Sequence, residues 1–291
     1  MRASHLKHLI VCADDYGLSP GVSLGIRQLA EAGRISATGA MTCMPAWAAE
    51  AEALKPLADK IAVGLHFTLT DQKPLGRMPT LAPKGKFPTV GELLRASLLG
   101  ALPLAEIAAE LHRQLDAFEE HFGAPPDFID GHQHVHVFKG VRGVVLSQFH
   151  RRLDPARTWL RDCSDNPLRL LRRGFSAKAM IVGHIGKGLR RQAEQRNIPV
   201  NQGFSGFYDP AKQSLDGQLE TMLQATRSGH LLMVHPGHVD AELEAVDSLT
   251  APREAEFQTL MQDSFPARLE QLSLRIAGKA GTSPIHGCLS L

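Results

Sequence analysis

With 291 residues, 43% of them hydrophobic and 21% charged, the chain has the balance of a folded globular protein and not of a disordered one. A formal net charge of +2 gives no footing for nucleic acid or an anionic membrane surface, and no run approaches the ~18 apolar residues of a membrane span. Cys12, Cys43, Cys163 and Cys288 form no C-x-x-C pair and no signal-peptide pattern is present, so the expected location is the reducing cytoplasm.

Leu6 to Ala13 is apolar on both faces and predicts a first strand buried in a parallel sheet. Ser19 is placed to cap a helix that begins at Pro20, turns Ile26 and Leu29 inward and stops at Gly33. Ile35 to Met44 predicts a second strand, Ala46 to Lys55 a helix, and Ile61 to Thr70 a third strand. Asp71 to Pro88 is rich in proline, glycine and lysine; it is too long for a tight connection and is expected to face substrate. Two helices follow, Val90 to Leu99 and Pro103 to Phe122; the second spaces Leu104, Ile107, Leu111, Leu115 and Phe118 along one face and ends at Gly123.

Phe128 to Asp130 opens a fourth strand, followed by a helix over Val141 to Leu153 and a short strand over Thr158 to Arg161. Pro167 to Asn197 reads as helical and basic. Strands at Val200 to Gly203 and Leu231 to His235 flank a helix over Leu215 to Arg227, and the tail after Gly278 is expected to be loose. Strand and helix alternate without an internal repeat or a linker. This predicts an α/β protein with one domain over 1–278 and a loose tail over 279–291, at a length that suits a barrel of parallel strands.

The chemistry-bearing residues recur at strand ends, which in a parallel barrel converge on one mouth. Asp14 and Asp15 end the first strand, His66 lies on the third, and "FIDGHQHVHVF" puts Asp130, His132, His134 and His136 at the end of the fourth. The three histidines alternate, so they share one face of a strand or fan around a point where the chain turns at Gly131. Imidazole is a common ligand of divalent metals. A cation would offset the repulsion between the adjacent carboxylates, with one of them as ligand and the other beside the reacting water as a base. His235, in "LLMVHPGHVD", is either a turn residue or a general acid at the mouth. Arg161 binds a carboxylate, holds Asp14 in register, or makes a surface ion pair. "GFSGFY", from Gly203 to Tyr208, reads as core packing, with the alternative of presenting aromatic rings to a sugar.

In chain order "IVCADDYGLSPGV", "VGLHFTLT", "DFIDGHQHVH" and "LLMVHPGHVD" resemble the motifs of the YdjC-like carbohydrate deacetylases, over about residues 7 to 240. The resemblance implies a distorted (β/α) barrel of the polysaccharide-deacetylase type. It implies one divalent metal ion, magnesium or zinc, held by Asp15, His66 and His132, with Asp14 as general base and His235 as catalytic histidine. The implied substrate is an acetylated amino sugar or short oligosaccharide that loses acetate. Asp130 would then steady a ligand imidazole, and His134 and His136 would orient water, acetate or the ligands. Tyr16 stands where phenylalanine is frequent, and the basic segment Arg169 to Arg196 has no counterpart in the pattern. Two rivals remain: a metal-dependent phosphoesterase or amidohydrolase, and a sugar-binding protein that keeps the metal site without turnover. The order of motifs counts against the first, because the H-x-H pair common to such enzymes at the first strand is replaced by Asp14-Asp15. A homo-oligomer is left open.

Overall fold

An apolar run buried on both faces needs strand partners on both edges and helices above and below. β1 (Lys7–Tyr16) meets that need at the centre of the sheet and is buried from Leu9 onward. The structure is a computed structural model that describes residues 6–164, 177–208, 214–224, 226–247 and 250–282. The other strands are β2 (Ala37–Ala40), β3 (Ala62–Phe67), β4 (Phe128–Gly131), β5 (Trp159–Leu160), β6 (Phe204–Ser205), β7 (His230–Val234) and β8 (Leu274–Ile276). They pair in the order β5-β4-β3-β2-β1-β7-β6, every pair parallel, and β8 lies against the first residues of β1. The sheet curls toward itself. Beyond β5, the Leu160 N–H donates to the Pro199 carbonyl at 2.9 Å and Leu160 bridges Val200, in the segment that runs on into β6. This is a distorted, incompletely closed (β/α) barrel in a single domain.

The helices are α1 (Pro20–Glu31), α2 (Trp47–Leu54), α3 (Val90–Leu99), α4 (Leu104–Phe122), α5 (Val141–Arg152), α6 (Ala177–Glu194), α7 (Leu215–Leu223), α8 (Ala241–Val246), α9 (Ala251–Met261), α10 (Ser264–Gln271) and α11 (Lys279–Thr282). Ser19 caps α1 by accepting the Val22 N–H at 3.3 Å. α4 turns Ile107, Leu111, Leu115 and Phe118 into the core, and Gly123 ends it in the left-handed region. Among the described residues no helix is long and apolar enough to cross a membrane.

Several elements differ from the sequence expectation. β1 does not stop at Ala13 but runs on through both aspartates to Tyr16. The second strand shrinks to four residues: the Met41 N–H still donates to the Tyr16 carbonyl at 2.8 Å, but the chain then turns, with the Met44 N–H donating to the Met41 carbonyl at 3.2 Å. The strand expected at Val200 to Gly203 is a single bridge at Val200, and the paired residues are Phe204 and Ser205. Of the segment Pro167 to Asn197, α6 is helical; 165–176 lie outside the described residues. The tail begins with α11, where Lys279 Nζ bonds the Ala58 carbonyl at 2.8 Å, and 283–291 also lie outside the description. Nothing in the sequence reading anticipated α8 to α10 and β8; α8, α9 and the residues between them bring a further wall to the barrel mouth, while β8 lies at the opposite end of β1.

Candidate active site

Successive residues of a regular strand point to opposite faces, so adjacent aspartates would normally part company. Here they do not, because β1 carries a bulge. Ala13 pairs with Thr38 and Tyr16 with Ala40, which leaves one extra residue in β1, and Asp15 takes a left-handed φ of 69°. The bulge aims both carboxylates into one cavity of about 700 Å³ at the strand ends. His132, His134 and His235 share its lining with Asp71, Gln72 and Lys86 from the long loop after β3. That loop is pinned at the mouth, where Gln133 Nε2 donates to Asp71 Oδ2 at 3.0 Å.

Asp15 is the hub. Its Oδ1 lies 2.8 Å from His132 Nδ1 and 3.2 Å from His66 Nε2, and its Oδ2 accepts from Arg253 at 2.7 Å. The far side of His66 is held as well, with Nδ1 at 2.7 Å from Asp130 Oδ1. Gly39 on β2 makes room for this pair, since a Cβ there would lie 2.9 Å from His66 Nδ1. Asp14 is gripped from behind. Arg161, fully buried, donates from Nη1 to Asp14 Oδ2 and from Nη2 to Asp14 Oδ1, both at 2.6 Å, and pairs with Asp130 Oδ2 at 2.5 Å. Arg161 is therefore no surface residue; it is the cation shared by two buried carboxylates.

The charges follow from these contacts. Burial disfavours ionised Asp14, but Arg161 and then His66 outweigh it and hold the carboxyl far below the usual range. Burial is likewise overcome at Asp15, by Arg253 and His132, which keep it well below that range. At His66 burial opposes the imidazolium, yet Asp130 and Asp14 raise it to about 10. The pocket thus favours a positive charge between these carboxylates.

The three alternating histidines neither share a face nor meet at a point. Past Gly131 the chain enters a tight turn over His132–Val137, with Gln133 and His134 at φ 51° and 62°, and the rings fan apart. His132 goes to Asp15. His134 stays on the cavity wall, its ring edge-on to Phe207 at 5.0 Å and its Nδ1 3.5 Å from Cys163 Sγ. His136 turns into the core, where Nε2 lies 3.0 Å from the Arg161 carbonyl oxygen, and burial lowers its pKa to about 4. Its contact with Arg161 is to the backbone carbonyl, not to the guanidinium. His235 follows β7 on the cavity wall.

Sequence reasoning missed two wall residues that hold the site together. Arg253 on α9 is buried and ties Asp15 to Asp247. Glu256, one turn on, accepts the His235 N–H at 2.6 Å and the Tyr208 hydroxyl at 2.5 Å. The Gly203 to Tyr208 stretch splits in use. Phe204 is buried, while Phe207 and Tyr208 line the cavity.

Among the described residues two clusters of buried donors are close enough to hold an ion, with their ligand atoms within 4.8 Å of one another: Asp15, His66 and His132, and Cys12, Asp14 and Asp130. The second already surrounds a cation, the Arg161 guanidinium, which also reaches Cys12 Sγ at 2.9 Å, and burial pushes that thiol's pKa well above its ordinary value. The first presents Asp15 and His132 on the cavity wall, with the buried His66 imidazole against Asp15 Oδ1. This is the donor set of a divalent site with room left for substrate.

The YdjC-like protein family profile matches residues 8–271. The chain is 39% identical over 150 residues to the chitooligosaccharide deacetylase of Proteus mirabilis, a match that spans 51% of this chain and 58% of that one. It is 40% identical over 262 residues to the chitooligosaccharide deacetylase of an Enterobacter species, spanning 84% and 92%. The crystal structure of a cellobiose-phosphate cleavage candidate from Enterococcus faecalis shares the fold, with a TM-score of 0.72 at 23% identity over 95% of this chain and 99% of that one. The cavity, its paired carboxylates and its histidines therefore sit in a chain that belongs to the YdjC-like family.

Proposed function

We propose that the protein is a metal-dependent hydrolase that removes an N-acetyl group from an amino sugar or a short acetylated oligosaccharide. The observation that carries this reading is the convergence of Asp15, His66 and His132 on one point, with Asp14 beside them and His235 across the same cavity. The names of the relatives supply the substrate class.

A divalent ion held by Asp15, His66 and His132 would polarise the acetamide carbonyl and make water more acidic. Asp14, ionised by its grip on Arg161, accepts the proton from the attacking water. His235 donates a proton to the departing amine nitrogen, which is otherwise a very poor leaving group. The products are acetate and the free amino sugar. Phe207 and Tyr208 offer apolar ring surface to the sugar, and the 71–88 loop covers the opposite side of the mouth.

The test is release of acetate from acetylated chitobiose by purified protein, with and without a chelator. A deacetylase releases acetate only when its metal is present. A sugar-binding protein takes up sugar and metal but releases none, and a phosphoesterase acts on phosphate esters instead. Asp14→Asn should keep the metal and lose most turnover, and retained turnover removes Asp14 from the role of base.

A further inference from the structure

The two oxygens of Asp15 have different neighbours, and the difference comes from α9. Oδ1 faces both imidazoles, at 2.8 Å and 3.2 Å. Oδ2 faces away, toward Arg253 Nη2 at 2.7 Å. Arg253 is 1% exposed and cannot follow Asp15 if the carboxylate turns, because the same Nη2 is tied to Asp247 Oδ2 at 2.6 Å. The Arg253 backbone is fixed too: its N–H donates to the Thr250 carbonyl and its carbonyl accepts from Gly237, next to the β7 end that carries His235. A guanidinium so held gives Oδ2 a fixed, charge-assisted donor.

We propose that Arg253 is a positioning residue that reserves Oδ2 of Asp15 and so limits this carboxylate to one donor oxygen toward a divalent ion. The proposal rests on the metal reading above and adds to it a cause for low coordination. One carboxylate oxygen and two imidazole nitrogens make three protein donors, the number that leaves an open position in catalytic zinc sites. An Asp15 free to chelate through both oxygens would raise the coordination number, the situation preferred by larger, harder ions.

The test is the visible spectrum of the full chain loaded with cobalt(II), whose ligand-field bands are intense at four-coordinate sites and weak at higher coordination. The wild-type protein is expected to show intense bands. Arg253→Met, which keeps the length of the side chain and removes its donors, should weaken them several-fold with the ion still bound one per chain. Arg253→Lys restores a single donor to Oδ2 and should restore most of the intensity. A natively folded Arg253→Met protein with the wild-type spectrum overturns the proposal, as does Arg253→Lys behaving like Arg253→Met. Should Arg253→Met fail to fold, Asp247→Asn loosens the second anchor of the guanidinium. A partial loss of intensity there supports the proposal and an unchanged spectrum overturns it. A wild-type chain that takes up no cobalt refutes the metal reading itself, and the proposal with it.

Discussion

Replacing Arg161 by methionine removes the guanidinium that two fully buried carboxylates share. Arg161, Asp14 and Asp130 are 0%, 1% and 0% exposed, and the guanidinium makes contacts of 2.6, 2.6 and 2.5 Å to the two acids. Taking away one side of a buried ion pair costs about 3–5 kcal/mol because the stranded charge stays desolvated. With a urea m-value of about 3 kcal/mol/M, the unfolding midpoint at pH 7 falls by about 1–2 M. The sign of the pH dependence follows from Asp14. In the wild type its folded pKa lies below the ordinary 3.8, so its contribution to stability is complete above that value and is lost as the pH falls through the folded pKa. In the variant, burial without Arg161 pushes the carboxyl up, so neutral pH is where the variant suffers most. The gap between wild type and variant should therefore be widest at pH 7 and narrow toward pH 4. Equilibrium urea unfolding at both pH values measures it. A gap of about 1 kcal/mol or less at pH 7, the size of an exposed pair, or one that does not change with pH, refutes the reasoning.

Asp130→Ala strips His66 of the partner on Nδ1, and titration calorimetry should show metal affinity falling about 10–100-fold, as expected when the outer partner of a ligand imidazole is lost. Gly39→Ala should lower metal affinity although it alters no ligand, since the new methyl group meets His66 Nδ1 at 2.9 Å and Asp130 Oδ1 at 3.3 Å; wild-type affinity in this variant contradicts the packing argument. Glu256→Ala leaves the His235 N–H and the Tyr208 hydroxyl without their acceptor and should cost about 1–3 kcal/mol in unfolding experiments. Glu256→Gln should recover most of that loss, because its carbonyl can accept from His235 while the Tyr208 oxygen accepts from its amide.

How far the sequence revealed this site depends on the residue. Asp14, Asp15, His66, His132 and His235 were legible because each ends or interrupts an apolar strand, and strand ends of a parallel barrel converge. The bulge that turns both aspartates inward was not legible, because its left-handed residue is Asp15 itself and no glycine marks the turn. The alternation of His132, His134 and His136 suggested either one shared face or a fan around one point at a turn at Gly131. The left-handed pair Gln133 and His134 breaks that alternation and sends His136 into the core. Arg253 and Glu256 lie in a polar stretch, "APREAEFQTLM", that reads as a solvated helix. Their burial comes from contact with β1 and β7, elements more than twenty residues or more than two hundred residues away in the chain, and a local pattern carries no trace of it.

On the function proposed here, Asp15, His66 and His132 close around a single ion that the reaction requires. Chelator-stripped protein titrated with zinc or magnesium, with acetate release from acetylated chitobiose followed at each addition, tests this most directly. The account predicts no release from the stripped chain, a rise that levels at one ion per chain, and no rise at stoichiometric metal in His132→Ala. Full release from the stripped chain, or none at any metal concentration, would contradict it.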